Sequence, residues 1–214
     1  MDPWSLSLGL ALQTRDLLRS LGTPVLAPFL AAWPDSHHPG PLAHRKDGWV
    51  ATSAVKLPVL GWMADVAGDE DIFGASIVAD LCRHAQSLTW RQTYTARDTG
   101  EEFMRNYGYA EILGPGAPLA AARIACGFLL LGPATLYPRH SHEAEEVYVP
   151  LSGTARWQQG DARWRERPPG TVIHHASEEP HAMHTGARPL LALYVWRSDN
   201  LDQTAKLETG ASIQ

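Results

Sequence analysis

Cysteine is scarce: Cys82 and Cys126 are the two among 214 residues, and they form no CxxC pair. A disulfide scaffold and a thiolate zinc site are thereby disfavoured, and both thiols, set in apolar stretches, read as buried and free. Basic charge is also short, with 18 Lys and Arg against 23 acidic residues, a formal charge of −5. Without a basic run nothing attracts a phosphate backbone over a broad surface, so nucleic acid is not an expected partner. The Leu-rich start is interrupted by Gln13, Arg15, Asp16 and Arg19, and Met1-Asp2-Pro3-Trp4 lacks a basic leader. Neither a signal peptide nor a membrane span is expected there. Together with the free thiols this points to a cytoplasmic protein. Low-complexity segments and fixed-period repeats are absent as well.

What is present suits one folded unit. Hydrophobic residues make up 44% and charged ones 19%, and a chain of this length buries one core with room for an added helical layer. Leu6, Leu10, Leu17, Leu18 and Leu21 share a helical face that Gly22-Thr23-Pro24 ends, and a second helix is expected soon after. Residues 31–48, around His37 and His38, carry loop chemistry. Phe73, Ile77, Leu81 and Leu88 recur at helical spacing, predicting a helix over 73–90. Beyond about residue 100 short apolar or alternating runs separated by Gly and Pro predict antiparallel strands at 123–131, 135–141, 146–151, 154–158, 163–166, 171–174 and 190–196. The fold class expected is α+β, with a helical region over 1–105 packed on a β-barrel over 106–214.

The chemistry concentrates in one stretch. His140 and His142 fall on one face of an extended strand because side chains alternate with period two. If a tight turn follows, the returning strand presents Glu146 opposite them, with Tyr148 on the same inward face and Gly153 at the next turn. Downstream, Pro169-Gly170 and then Pro180-His181 supply a fourth donor. Three imidazoles and a carboxylate suit one divalent transition metal, Fe(II), Mn(II), Zn(II), Co(II) or Ni(II), without choosing among them.

The spacing His140-x-His142-x3-Glu146-x6-Gly153, followed by Pro-x-Gly and Pro-His, resembles the two motifs of the cupin superfamily, a jelly-roll barrel; Thr185 stands where Asn is usual. Within cupins, Leu136-Tyr137-Pro-x-His140-x-His142-x-Ala144-x-Glu146-x-Tyr148, Pro180-His181-Ala182 and Ala192-Leu193-Tyr194-x-Trp196 resemble the dimethylsulfoniopropionate (DMSP) lyases of the DddL and DddQ group. The resemblance implies that His140, His142, Glu146 and His181 bind the metal, that Tyr137 and Tyr148 act on a small sulfonium carboxylate, and that elimination yields dimethylsulfide and acrylate. Tyr148 is the first choice as base, since it shares parity with Glu146. Tyr137 has the opposite parity to His140, so its inward position rests on the resemblance. Trp196 and Tyr194 are candidate contacts for the sulfonium.

Blander readings stand beside these. Tyr148 and Trp196 can be ordinary barrel-filling aromatics. His174, His175 and His184 are extra histidines, while His37, His38, His44 and His84 read as loop or helix-surface residues. Glu143, Glu145, Glu178 and Glu179 read as solvated turn carboxylates. The N-terminal helices carry no readable chemistry, leaving packing and a homodimer contact as their roles. The rival functions are a metal-dependent cupin dioxygenase or isomerase, and a ligand-binding regulator; the latter lacks the basic helix-turn-helix it would need.

Overall fold

The structure is a computed structural model that describes residues 2–34 and 56–208; His37, His38 and His44 lie outside the described residues. Helix α1, Pro3–Leu21, starts where the Asp2 carboxylate accepts the Ser5 N–H at 3.0 Å and ends at Gly22 with φ 61°. The end at Gly22 is the one its sequence predicts, and Asp2 supplies the cap at the start. Helix α2, Ala27–Ala32, follows, then α3, Met63–Ala67, and α4, Ala75–His84. The last is shorter than the spacing implied. Phe73 gives its N–H to the Leu151 carbonyl at 2.8 Å, and a 3-10 turn over Ala85–Ser87 takes the chain off the helical path before Leu88.

The strands begin earlier than residue 106. Strand β1, Trp90–Arg91, precedes two short helices, α5 (Ala96–Thr99) and α6 (Glu101–Arg105), and pairs with β2, Tyr107–Leu113. Strand β2 has no counterpart in the sequence expectations, because Gly108 and Glu111 blur its alternation. After it come β3 Ile124–Leu131, β4 Leu136–Ser141, β5 Glu145–Ser152, β6 Ala155–Gln159, β7 Arg165–Arg167, β8 Ile173–His175, β9 His181–Thr185, β10 Leu190–Arg197 and β11 Lys206–Leu207. They form a six-stranded sheet, ordered β1-β2-β3-β10-β5-β8, and a five-stranded sheet, β11-β4-β9-β6-β7. Every pairing among these strands is antiparallel. The expected α+β architecture, a helical layer ahead of antiparallel sheets, is what the chain adopts.

Two cores explain the layering. Val147, Val149 and Leu151 of β5 and Leu191, Leu193 and Val195 of β10 pack outward against Leu10, Leu18, Phe29 and Leu81 of the helices. The alternate residues, Tyr148, Ala192 and Tyr194, pack inward with Trp157, Ile173 and Met183. Period-two alternation therefore gives one set of side chains to the helices and the other to the interior. Strand β3 is buried along its whole length, which is why it reads as an unbroken apolar run.

Between β5 and β6 the chain turns at Gly153, φ 81°. The Ser152 hydroxyl and the Gly153 N–H both donate to Asp69, at 2.7 and 2.9 Å, which ties the helical layer to the end of β5. A Cβ at position 153 would collide with the Pro189 carbonyl oxygen. Gly153→Ala is expected to cost about 2–3 kcal/mol, measured as a lower midpoint in urea with an unchanged slope.

Candidate metal centre

The two sheets meet around a buried cluster. His140 of β4 and His181 of β9 are direct cross-strand partners, with ring centroids 4.2 Å apart. His142 lies just past β4, where the chain crosses from the five-stranded sheet to the six-stranded one. Strands β4 and β5 are thus not paired as a hairpin, and Glu146 faces the imidazoles across the interior. Its Oε2 lies 3.0 Å from His142 Nε2 and 3.3 Å from His181 Nε2. The donor atoms of His140, His142 and His181 all lie within 4.8 Å of one another, and all three rings are buried. Such a group can hold a metal ion.

The hydrogen bonds fix which nitrogen faces inward. His140 Nδ1 meets the Pro138 carbonyl at 2.8 Å, His142 Nδ1 the Ala144 carbonyl at 2.8 Å, and His181 Nδ1 the Glu179 carbonyl at 2.9 Å. A carbonyl accepts only from N–H, so each ring carries a proton on Nδ1 and turns its Nε2 toward the cluster, the nitrogen a metal would take. The buried His181 Nε2 finds no hydrogen bond of acceptable geometry. A buried lone pair without a donor fits a metal ligand, and the mixed imidazole and carboxylate set fits a first-row divalent ion.

Charge is poised to match. Burial pushes the Glu146 carboxyl up, but His142 and His181 outweigh burial and hold it well below the usual carboxylate range. Burial and the neighbouring His181 press His140 well below an ordinary imidazole, whereas Glu146 more than offsets burial at His142 and raises it.

A cavity of about 450 Å³ opens beside the cluster, lined in part by Tyr137, His140, Glu146, Tyr148, Tyr194 and Trp196. Every tyrosine and tryptophan singled out from the sequence therefore lies on its wall. Strand parity places Tyr148 inward with Glu146. Tyr137 is inward for another reason: the β4–β9 register shifts between Tyr137 and His140, which cancels their opposite parity and stacks the two rings at 4.2 Å and 12°. Burial first, then the Glu146 charge, lifts the Tyr148 phenol well above its usual value; Tyr137 is lifted by burial and by Tyr107 and Tyr94. Tyr194 extends its hydroxyl over Gly127. Trp196 donates its indole N–H to Glu146 Oε1 at 2.6 Å and lies 4.3 Å from the His142 ring.

Sequence reasoning missed other parts. The Tyr137 hydroxyl donates to that of Tyr94 at 3.4 Å, and Phe103 and Tyr107 pack on Tyr137 at 5.4 and 5.2 Å. Tyr94 and Phe103 come from the segment ahead of β2, where no chemistry was read; the aromatic spacing there was the available signal. His175 is wholly buried and lies 4.0 Å from His181 with rings nearly parallel. His174 faces the other way and meets Glu145 at 2.7 Å. Glu145 also pairs with Arg197, so it is no solvated turn carboxylate. His184 meets Arg156 at 3.0 Å. Thr185 accepts the Thr135 N–H and donates to the Gly132 carbonyl, both at 2.7 Å, a tie between β9 and the approach to β4. Cys82 and Cys126 are both free. Among the described residues no helix is long and apolar enough to cross a membrane.

Comparison with known proteins gives this arrangement its relatives. A family model described as DMSP lyase matches residues 44–192. Dimethylsulfoniopropionate lyase DddQ of Ruegeria pomeroyi is 32% identical over 179 residues, covering 82% of each chain. The crystal structure of DMSP lyase DddQ from Ruegeria pomeroyi superposes with a TM-score of 0.78 at 27% identity, over 98% of this chain and 99% of that one. A crystal structure from work on the DMSP lyases RdDddP and RnDddQII gives 0.78 at 25% identity, over 96% and 98%. Half-barrel motif, helical layer and buried histidine cluster thus agree with the sequence match over most of the chain: it belongs to the dimethylsulfoniopropionate lyase family.

Proposed function

We propose that this chain is a metal-dependent carbon–sulfur lyase that cleaves DMSP to dimethylsulfide and acrylate. The observation that carries the reading is the phenol of Tyr148 and the Glu146 carboxylate sharing one wall of a cavity beside a three-histidine cluster, in a member of this family. In this reading residues 106–214 supply the site, residues 1–105 pack against it, and the protein works in the cytoplasm.

His140, His142, Glu146 and His181 are the residues that would hold one divalent ion, Fe, Mn, Zn, Co or Ni. When bound, such an ion supplies positive charge that attracts the substrate carboxylate and favours the phenolate form of a nearby tyrosine. Tyr148 then acts as the base. Its phenolate oxygen takes the α-proton, the Cα–H electron pair becomes the new double bond, and the β-carbon–sulfur pair leaves with sulfur. Dimethylsulfide departs neutral, so no acid is required. Tyr137, held by Tyr94 and stacked on His140, orients the substrate. The face of Tyr194 attracts the sulfonium, at about 0.5–2 kcal/mol. Trp196, read from the sequence as a further such contact, gives its N–H to Glu146. A cavity of this size holds a small zwitterion.

The reading is tested by supplying DMSP to the purified protein with each of the five metals in turn. Dimethylsulfide in the headspace and acrylate in solution are expected in equal amounts, and no product with any of them would overturn it. Tyr148→Phe is expected to keep its metal and lose about 10²–10⁴-fold in turnover; a near-normal rate rejects Tyr148 as base. His142→Ala, Glu146→Ala and His181→Ala are each expected to lower metal content by at least about tenfold, measured by elemental analysis.

A further inference from the structure

Each histidine of the cluster is held on a ring face as well as at Nδ1. Tyr137 lies on His140 at 4.2 Å and 12°, Trp196 on His142 at 4.3 Å and 35°, and His175 on His181 at 4.0 Å and 14°. One hydrogen bond to a main-chain carbonyl restrains where an imidazole points, yet leaves it free to rock about that bond. A plate against its face removes the rocking. Trp196 does more: its N–H holds Glu146 Oε1, which directs Oε2 at the imidazoles. Strand register makes this possible, because Glu146 of β5 stands between Trp196 of β10 on one side and His175 of β8 on the other. The two plates and the carboxylate form one row across the sheet.

We propose that Trp196 and His175 are positioning residues that pre-organise the ligand set, with Trp196 orienting Glu146 and His142 and His175 bracing His181. The proposal rests on the reading of these residues as metal ligands. His175 suits such a role, for both of its buried ring nitrogens lack a hydrogen-bond partner. What the structure uses there is a flat ring; the nearest charge to its nitrogens is the Glu179 carboxylate, 3.8 Å from Nδ1 and beyond hydrogen-bond reach. A role of Trp196 in contacting the sulfonium would make a different demand, since it would affect substrate and leave the metal untouched. Outer partners that orient ligands typically contribute 10–100-fold in metal affinity.

The test is Co(II) binding by the full chain, read by chelator competition and by the ligand-field absorption bands of the ion, without any turnover. Trp196→Phe keeps a ring over His142 and deletes the N–H; it is expected to weaken Co(II) about 10–100-fold and to shift the bands. Trp196→Leu removes the plate too and is expected to weaken binding further. His175→Phe is expected to bind near wild type and His175→Ala more weakly, which keeps the proposal testable should a Trp196 variant fail to fold. Wild-type affinity and spectrum in Trp196→Phe and His175→Ala overturn the positioning role. A raised KM for DMSP in Trp196→Phe with unaltered Co(II) binding assigns Trp196 to the substrate and overturns it equally. Wild-type protein that binds no Co(II) overturns the ligand reading itself, an outcome separable from either of the others.

Discussion

A carboxylate buried at 1% exposure between two imidazoles is the constraint on which the rest depends. An isolated charge in such a place is costly by several kcal/mol, so Glu146 has to be met by cations or donors from several directions. His142 and His181 approach from one side and the Trp196 N–H from the other. These partners sit in the crossing segment, in the five-stranded sheet and in the six-stranded sheet respectively. The two sheets must therefore face each other, and the chain must cross between them immediately after His140. The architecture can be read as the means of bringing His181, from a late strand, up to the cluster that His140, His142 and Glu146 form around one crossing between the sheets.

The helical layer follows from the same geometry. Strands that send Glu146, Tyr148, Tyr194 and Trp196 inward necessarily send Val147, Val149, Leu193 and Val195 outward, and that apolar face requires a cover. Helices α1, α2 and α4 provide it. Their contribution to the site is indirect but physical: they fix the sheet whose inner face carries the chemistry. The segment with Tyr94 and Phe103 is different, because it reaches the interior and backs Tyr137.

Much of the site was legible because alternation is a local rule. Glu146 and Tyr148 share a face whatever the rest of the chain does, and the repeated spacing of histidines around them carried the family resemblance. Tyr137 shows where the rule stops. A register shift set by pairing with β9 turned it inward, and nothing within β4 announces that shift apart from Pro138. Strand β2 was hidden by Gly108 and by an inward Glu111, and β9 by its polar content of two histidines and a threonine. The plates over His142 and His181 were beyond reach for a further reason: Trp196 lies far down the chain from His142, and His175, though close to His181 in sequence, reaches it from a strand of the other sheet. Sequence spacing constrains such contacts only once the sheet order is known.

The absent side chain at Gly127 leaves room for Tyr194 to take its place on the cavity wall. Glu111 of β2 stands on one side of it in the sheet and Tyr194 of β10 on the other. A Cβ there would run into the Ala110 carbonyl oxygen and the Tyr194 hydroxyl, so Tyr194, which lines the cavity, holds the space a side chain would need. Cavities bounded by side chains can be widened or narrowed by single substitutions. Gly127 offers no such freedom, and variation in what the cavity admits has to arise elsewhere on its walls.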